Sequence, residues 1–483
     1  MREPQPQPEP QLLPPPEPQL LPHPEPQLPP PPEPQLPPPP EPQPLPHPEP
    51  HPEQDPIVID LSGADIHGEG ARLRARGPAA RVELPGGVRA WSVTSPDHLK
   101  RLLTDDRVSK DTRRHWAAFA DGRIRPDWPL YIWVTTNSMA TGYGREHARL
   151  RRLVAASFTA RRTEALRPRI EAIAAGLLDD LAAAGAHGRP VDLRESFAYP
   201  VPLRVINELM GVPERLRPEL RRTVDAMFDT TNSPAAAETN TAELRAVLGE
   251  LVRAKRAAPA DDLTSALIAA RDEEGAGDGA DDGAQGGGGG GEEGEGDSRR
   301  RRLSEAELVD TLLLMFGAGH EPTVNLLDNA AHALLTRPRQ LALVRAGRAT
   351  WHDVIEETLR AETPVANILM RYAVEDIRLD GGPVIGKGDA IIASYAAAGR
   401  HPALHGESAD RFDVTRADKE HLAFGYGVHY CVGAPLARLE AAVALPMLFD
   451  RFPRLRLAVP AAELRPVSSF IANGHERLPV FTS

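Results

Sequence analysis

The chain has 483 residues, 41% apolar and 5% aromatic, with a formal charge of −12 and one cysteine. Most of that charge sits in two segments, 2–56 with nine acids against one arginine and 272–302 with ten acids against four arginines; the remainder is nearly balanced and its charge points to no partner. One cysteine excludes a disulfide framework, a tetra-thiolate zinc site and a two-cysteine cofactor attachment, and the arginines form no basic stripe with interleaved aromatics, which argues against nucleic-acid binding.

From the N-terminus, 27 of the 51 prolines fall in residues 1–56, where Glu9, Glu17, Glu25, Glu33, Glu41 and Glu49 recur every eight residues. Such a composition cannot bury a core and predicts an extended, solvated tail, with a tether or docking stalk as the alternative. It holds no apolar leader segment. Residues 308–335 are the most apolar stretch but contain Asp310, His320, Glu321 and Asp328, so no membrane span is expected. A soluble, cytoplasmic, monomeric protein is the expectation.

Residues 81–93 alternate apolar and polar around Pro85-Gly86-Gly87 and predict a β-hairpin. Apolar residues at three- and four-residue steps then predict helices over 150–158, 170–181, 205–210, 244–252 and 263–270. The Gly/Asp/Glu-rich run 272–302 predicts a flexible surface loop. Ser304 followed by Glu307 predicts a capping box opening a long helix at Glu305. Within it, Gly317, Gly319 and Pro322 interrupt an apolar run and predict a kink. Short strands are expected over 377–379, 390–394 and 455–459. The whole reads as one large, mostly α domain with minor β over 57–483, interrupted by 272–302.

The residues around Cys431 carry the strongest chemical signal. Phe424, Gly425, Gly427, His429, Cys431 and Gly433 stand close together, and Pro435 then opens a helical stripe of Leu436, Leu439, Val443 and Met447. Glycines allow positive φ or close approach to a flat group, and a thiol just before a helix N-terminus is favoured as a thiolate, a soft metal ligand. A buried structural cysteine is the alternative. Elsewhere, His147 and Arg151 share a helix face and could donate to one carboxylate or form a solvated basic face with Arg145, Arg149 and Arg152. Glu357 and Arg360 have the spacing of an ordinary helical ion pair.

The run Phe-Gly-x-Gly-x-His-x-Cys-x-Gly over 424–433 resembles the haem-binding loop of the cytochromes P-450, and the resemblance continues in register over nearly all of the chain outside the two low-complexity segments, most of all to soluble actinobacterial members. It implies the P-450 fold and haem b held by Cys431 as proximal thiolate, with Phe424, Gly425 and Gly433 shaping the loop. It implies propionate contacts from His147, Arg151, Arg371 and His429, and a structural anchor in Glu357 and Arg360. In the long helix it implies that Ala318 and Gly319 make room for dioxygen and that Glu321 is the acid of a proton-delivery pair. There the chain departs from the pattern, because Pro322 stands where a threonine usually follows the acid. Thr323, about 100° further round the helix, remains the candidate hydroxyl but is expected to point elsewhere. Water held by Glu321, a substrate hydroxyl, or a reaction without ordinary oxygen activation are the readings left open.

The implied activity is a monooxygenase acting on a small hydrophobic secondary metabolite such as a polyketide, macrolide or peptide. Ferredoxin and ferredoxin reductase would supply electrons, docking near Arg438 and 149–152. A non-catalytic haem-thiolate sensor or carrier is the alternative, and a third reading gives the N-terminal array the main role as a scaffold. The pocket walls are expected in 116–136, 217–232, 313–316, 365–369 and 470–471.

Overall fold

A computed structural model describes residues 55–155, 158–272 and 303–483; the proline-rich segment 1–54 and nearly all of the acidic glycine-rich loop lie outside the described residues. The hairpin forms as its alternation predicts. Ala79–Leu84 pairs antiparallel with Val88–Val93, and Gly86 and Gly87 take φ of 74° and 71° in the turn, a region glycine enters without strain. The hairpin belongs to a six-stranded sheet in the order Ile57–Val58, Ala79–Leu84, Val88–Val93, Ala390–Ser394, Asn367–Ala373 and Val108–Ser109. The strand Asn367–Ala373 escapes the sequence reading because it is buried on both faces and so lacks a period of two.

The amphipathic segments appear as helices Gly144–Ala155, Arg167–Ala184, Pro200–Leu209, Pro234–Ala257 and Leu263–Asp272. Four of them begin upstream of their apolar pattern, because capping and first-turn residues open a helix before its buried stripe starts. Ser233, for example, accepts from the Ala236 N–H just ahead of Pro234. The long helix runs from Glu305 to Thr336, with Ser304 and Glu307 forming the expected capping box. It is helical throughout, and its backbone continues unbroken through Pro322.

This central helix serves two cores. Leu308, Leu312, Leu313 and Met315 pack with the helices Arg217–Phe228 and Pro234–Ala257, whereas Leu326, Leu327, Ala330 and Ala331 pack with Arg167–Ala184 and with the helix Ala434–Arg451. Between them lies 317–323, where Gly317, Ala318 and Gly319 replace large apolar residues and a cavity opens.

One buried acid stands apart from any site. Glu440 on Ala434–Arg451 is 1% exposed, neither carboxylate oxygen has a partner, and burial drives its pKa far above the usual 4.5. A raised folded-state pKa means that the folded chain holds a proton which the unfolded chain releases. This contribution to stability is therefore full below the unfolded value and lost as pH rises. Glu440→Gln keeps the shape without the proton cost. Urea unfolding is expected to show it more stable than the parent by about 1 kcal/mol or more at pH 8 and unchanged at pH 4; an equal gain at both would refute the assignment.

Candidate active site

Cys431 closes a loop between the central helix and Ala434–Arg451. Its N–H donates to the Phe424 carbonyl at 2.9 Å, which folds the 424–431 segment back on itself. Gly425 takes φ of 74° and Gly427 φ of 69°, and a side chain on Gly427 would meet the Leu103 carbonyl. The glycines thus serve the loop's curvature and its seat on the Pro96–Thr104 helix. Cys431 is open to an internal cavity of about 280 Å³ but surrounded by protein, and it lines that cavity with Phe424, Gly425, His429 and Gly433 on one side and Ala318, Gly319, Pro322 and Thr323 of the central helix. The N–H groups of Gly433 and Ala434 reach the sulfur as expected, yet burial outweighs them and pushes the thiol up in the chain by itself.

One edge of the cavity is crowded with basic side chains, with His147 just behind His429. His147 is buried with Nε2 unpartnered, Arg371 is buried with Nη1 unpartnered, and the His147 and His429 rings stand 4.0 Å apart. Lys110, which the sequence reading missed, is also buried here, its ammonium 3.4 Å from the Leu369 carbonyl. Burial, Arg151 and Lys110 push His147 down to about 4, while burial and Arg371 drive Lys110 well below its ordinary value. Every charge acting on these two is positive. Buried Lys110 and Arg371 without an anion among the described residues are costly, so this edge fits a group that brings its own carboxylates, and the thiol of Cys431 supplies a soft ligand beside it. Arg151 is turned the other way in part, donating to the Tyr430 carbonyl at 2.7 Å.

Glu357 and Arg360 are not a surface pair. Both are wholly buried, with Arg360 donating twice to Glu357 at 2.8 Å and to the carbonyls of Gly399, Ala409 and Arg411 at 2.7–2.8 Å. Glu357 in turn accepts the Asp413 N–H at 2.7 Å. The neighbouring Glu356 is a second anchor that sequence reasoning missed. It takes a two-pronged bond from Arg438 at 2.7 and 2.9 Å and one contact from His421 at 3.1 Å, and Arg438 lies 4.5 Å over the Phe424 ring. Burial works against the Glu356 charge, but Arg438 and His421 overcome it and hold the carboxyl at about 2.

On the central helix the geometry corrects two expectations. Thr323 does not point elsewhere: it lines the cavity, because the exposed face spans Ala318, Gly319, Pro322, Thr323 and Leu326, and a helix face is wide enough to hold adjacent positions. Gly319 does more than make room at the cavity, since a Cβ there would meet Ile206 at 2.8 Å; its lack of side chain lets Pro200–Leu209 approach. Glu321 sits behind this wall, 5% exposed, with Oε1 accepting from Asn325 at 2.6 Å and Oε2 unpartnered. Burial raises it to about 7, against the opposing pull of Arg194 and the Asn325 bond.

The pocket walls are only partly as expected. Leu314, Met315, Val365 and Ile368 line the cavity, and Met139 and Ala140 join them. Trp116, Trp128, Phe470 and Ile471 instead form a buried cluster against the sheet, and Met227 and Phe228 pack in the core beside Leu313. Apolar segments in these places read alike from sequence, because core and pocket use the same residues. Among the described residues no helix is long and apolar enough to cross a membrane.

A family model described as Cytochrome P450 matches residues 83–346 and 351–458. The chain is 44% identical over 425 residues to a 2-hydroxy-5-methyl-1-naphthoate 7-hydroxylase of Streptomyces carzinostaticus, covering 88% of this chain and 97% of that protein. It is 36% identical over 420 residues to a 6-deoxyerythronolide B hydroxylase of Saccharopolyspora erythraea, covering 85% and 94%. Among solved structures, CYP154A1 of Streptomyces coelicolor is similar with a TM-score of 0.79 and 53% identity, over 88% of this chain and 100% of that one.

Proposed function

The chain belongs to the cytochrome P450 family and is a monooxygenase, and on that premise we propose that it hydroxylates or epoxidises a bulky, mostly apolar secondary metabolite of polyketide, macrolide or peptide type. The observation that carries this reading is the cavity itself, with one thiol, an apolar wall and an edge at which buried Lys110 and Arg371 stand beside the unpartnered Nε2 of His147. Relatives named for hydroxylating a naphthoate and 6-deoxyerythronolide B support the substrate class. Haem b would be held by the Cys431 sulfur, with Lys110, His147, Arg371 and His429 placed to receive its propionates. When bound, it supplies dioxygen activation.

The chain's own residues supply the rest. The apolar wall excludes water and orients the substrate. Glu321, raised to about 7, holds a proton near neutrality behind the wall, and Thr323, which lines the cavity, would offer a hydroxyl in place of the one that Pro322 cannot. Glu321→Gln is expected to lower coupled product formation by about 10²-fold. Because the acid form is the donor, the parent rate should fall as pH rises through about 7, and the variant should lose that limb. A variant with the parent's pH profile would remove Glu321 from the role.

We place the reaction in the cytoplasm, with a ferredoxin and its reductase as electron source. The expected docking arginines need revision. Arg438 is tied to Glu356, Arg149 to Glu146 and Glu307, and Arg151 to the Tyr430 carbonyl, which leaves the exposed Arg152; Tyr426 and Val428 of the cysteine loop are also exposed. Arg152→Glu is expected to slow reduction by an acidic ferredoxin about tenfold at low salt and little at high salt; a salt-independent rate would refute this patch. The reading as a whole is tested by titrating the ferric protein with naphthoates, macrolides and cyclic peptides while following the Soret band. A high-spin shift with one scaffold identifies the class, and a spectrum without haem overturns the proposal.

A further inference from the structure

Asp310 is a carboxylate in the apolar first half of the central helix, wholly inaccessible to solvent. Its partners come from two other elements. One carboxylate oxygen accepts the backbone N–H of Asn137 at 2.7 Å and the Asn137 side-chain amide at 3.1 Å, and the other faces the Arg245 guanidinium of Pro234–Ala257 at 2.9 Å. Arg245 is itself partly exposed, so this ion pair, which is not a hydrogen bond, links the buried helix to the surface.

The segment held in this way is a stiff turn. The Thr141 and Gly142 N–H groups donate to the Ser138 carbonyl at 3.1 and 2.9 Å, and the Thr141 hydroxyl donates to the Thr136 carbonyl. Gly142 seats the turn directly on His147, since a Cβ there would stand 3.0 Å from the His147 Cα. Met139 and Ala140 project from the same turn into the cavity wall. On the chain side before it, Trp133 meets Phe228 edge to face at 5.1 Å. Asn137 is thus the point at which a rigid turn carrying part of the wall is pinned to the helix that carries the rest.

We propose that Asp310 is a positioning residue for substrate entry: with Arg245 it latches the 136–142 turn against the central helix, keeping Met139 and Ala140 closed over the cavity. This rests on the monooxygenase reading of that cavity. An apolar residue would fill the same helix position without the cost of burying a charge, and it could not hold both amides of Asn137. The latch sets how readily a bulky molecule enters and leaves small ones unaffected.

The test uses the full chain loaded with its cofactor. Arg245→Met removes the outer charge from a partly exposed site, and Asp310→Asn keeps shape and an acceptor for Asn137. Stopped-flow Soret changes report binding of imidazole and of 1-phenylimidazole. In both variants association of the bulky azole should rise about tenfold, the scale of one partly buried ion pair, with imidazole unchanged. Arg245→Lys should return the rate toward that of the parent. Amide hydrogen exchange over 136–142 should quicken by about the same factor, and by more than exchange elsewhere in the chain. Unchanged bulky-azole rates, or equal acceleration of both azoles, would overturn the latch. A parent chain with no Soret response to either azole would instead overturn the haem reading, and the entry role with it; the exchange data, which need no haem, tell the two failures apart.

Discussion

Replacing Cys431 with serine is expected to abolish product formation, by about 10³-fold or more, while leaving the fold intact. The sulfur faces the cavity and contributes to no core cluster. The bond that shapes its loop is made by the backbone N–H to the Phe424 carbonyl, which serine preserves. The folded state therefore loses little, within about 0.5 kcal/mol, as for a substitution away from packing. What changes is the ligand. A hydroxyl is hard and weakly donating, whereas a thiolate is soft and pushes electron density toward the metal. Product assay and the reduced carbon-monoxide difference spectrum check this together. Activity above about a tenth of the parent, or an unchanged spectrum, would mean that Cys431 is not the ligand.

Arg360→Ala is expected to destabilise the chain by about 3–5 kcal/mol, a large share of the 5–15 kcal/mol that holds a typical domain together. The side chain is wholly buried and makes five hydrogen bonds, two to Glu357 and three to the carbonyls of Gly399, Ala409 and Arg411. Removing it leaves those carbonyls unsatisfied and Glu357 buried with a distant Arg416 at 3.5 Å as its remaining cation. Lysine cannot restore the planar fork, so Arg360→Lys should recover less than half of the loss. Denaturant unfolding checks both variants. A loss below about 1 kcal/mol would show that the pair is no anchor. Because the three carbonyls lie on the segment leading to the cysteine loop, the alanine variant should also load less haem at equal protein concentration.

Glu357 and Arg360 illustrate what sequence reading can and cannot deliver. Their spacing is that of a common surface pair, and only resemblance to a family separates this pair from the others; burial is invisible in the spacing. Glu356, next in the chain, has no local signature at all. Its partner Arg438 lies 82 residues away, and nothing near either residue marks the contact. Lys110 is likewise an isolated lysine in sequence and a member of a buried cationic cluster in the fold. Thr323 shows the opposite: a single helical step points it away from the cavity, whereas the width of the cavity-facing stripe brings it into the lining. Gly319 was read as space for a ligand and proves also to be space for Ile206.

Sequence alone determined the features that depend on neighbours in the chain: the hairpin and its glycine turn, the capping box at Ser304, the helical stripe after Pro435 and the cysteine loop with its family. Backbone conformation, capping and periodicity are local interactions, and their causes lie within a few residues. The tertiary structure decided which apolar segments wall the cavity and which fill the core, which arginines are spent on internal carboxylates, and where the buried charges meet. Asn137 and Asp310 are 173 residues apart. Such a bond has its cause in burial and in packing of separate elements, where a carboxylate removed from water must find donors wherever the fold supplies them.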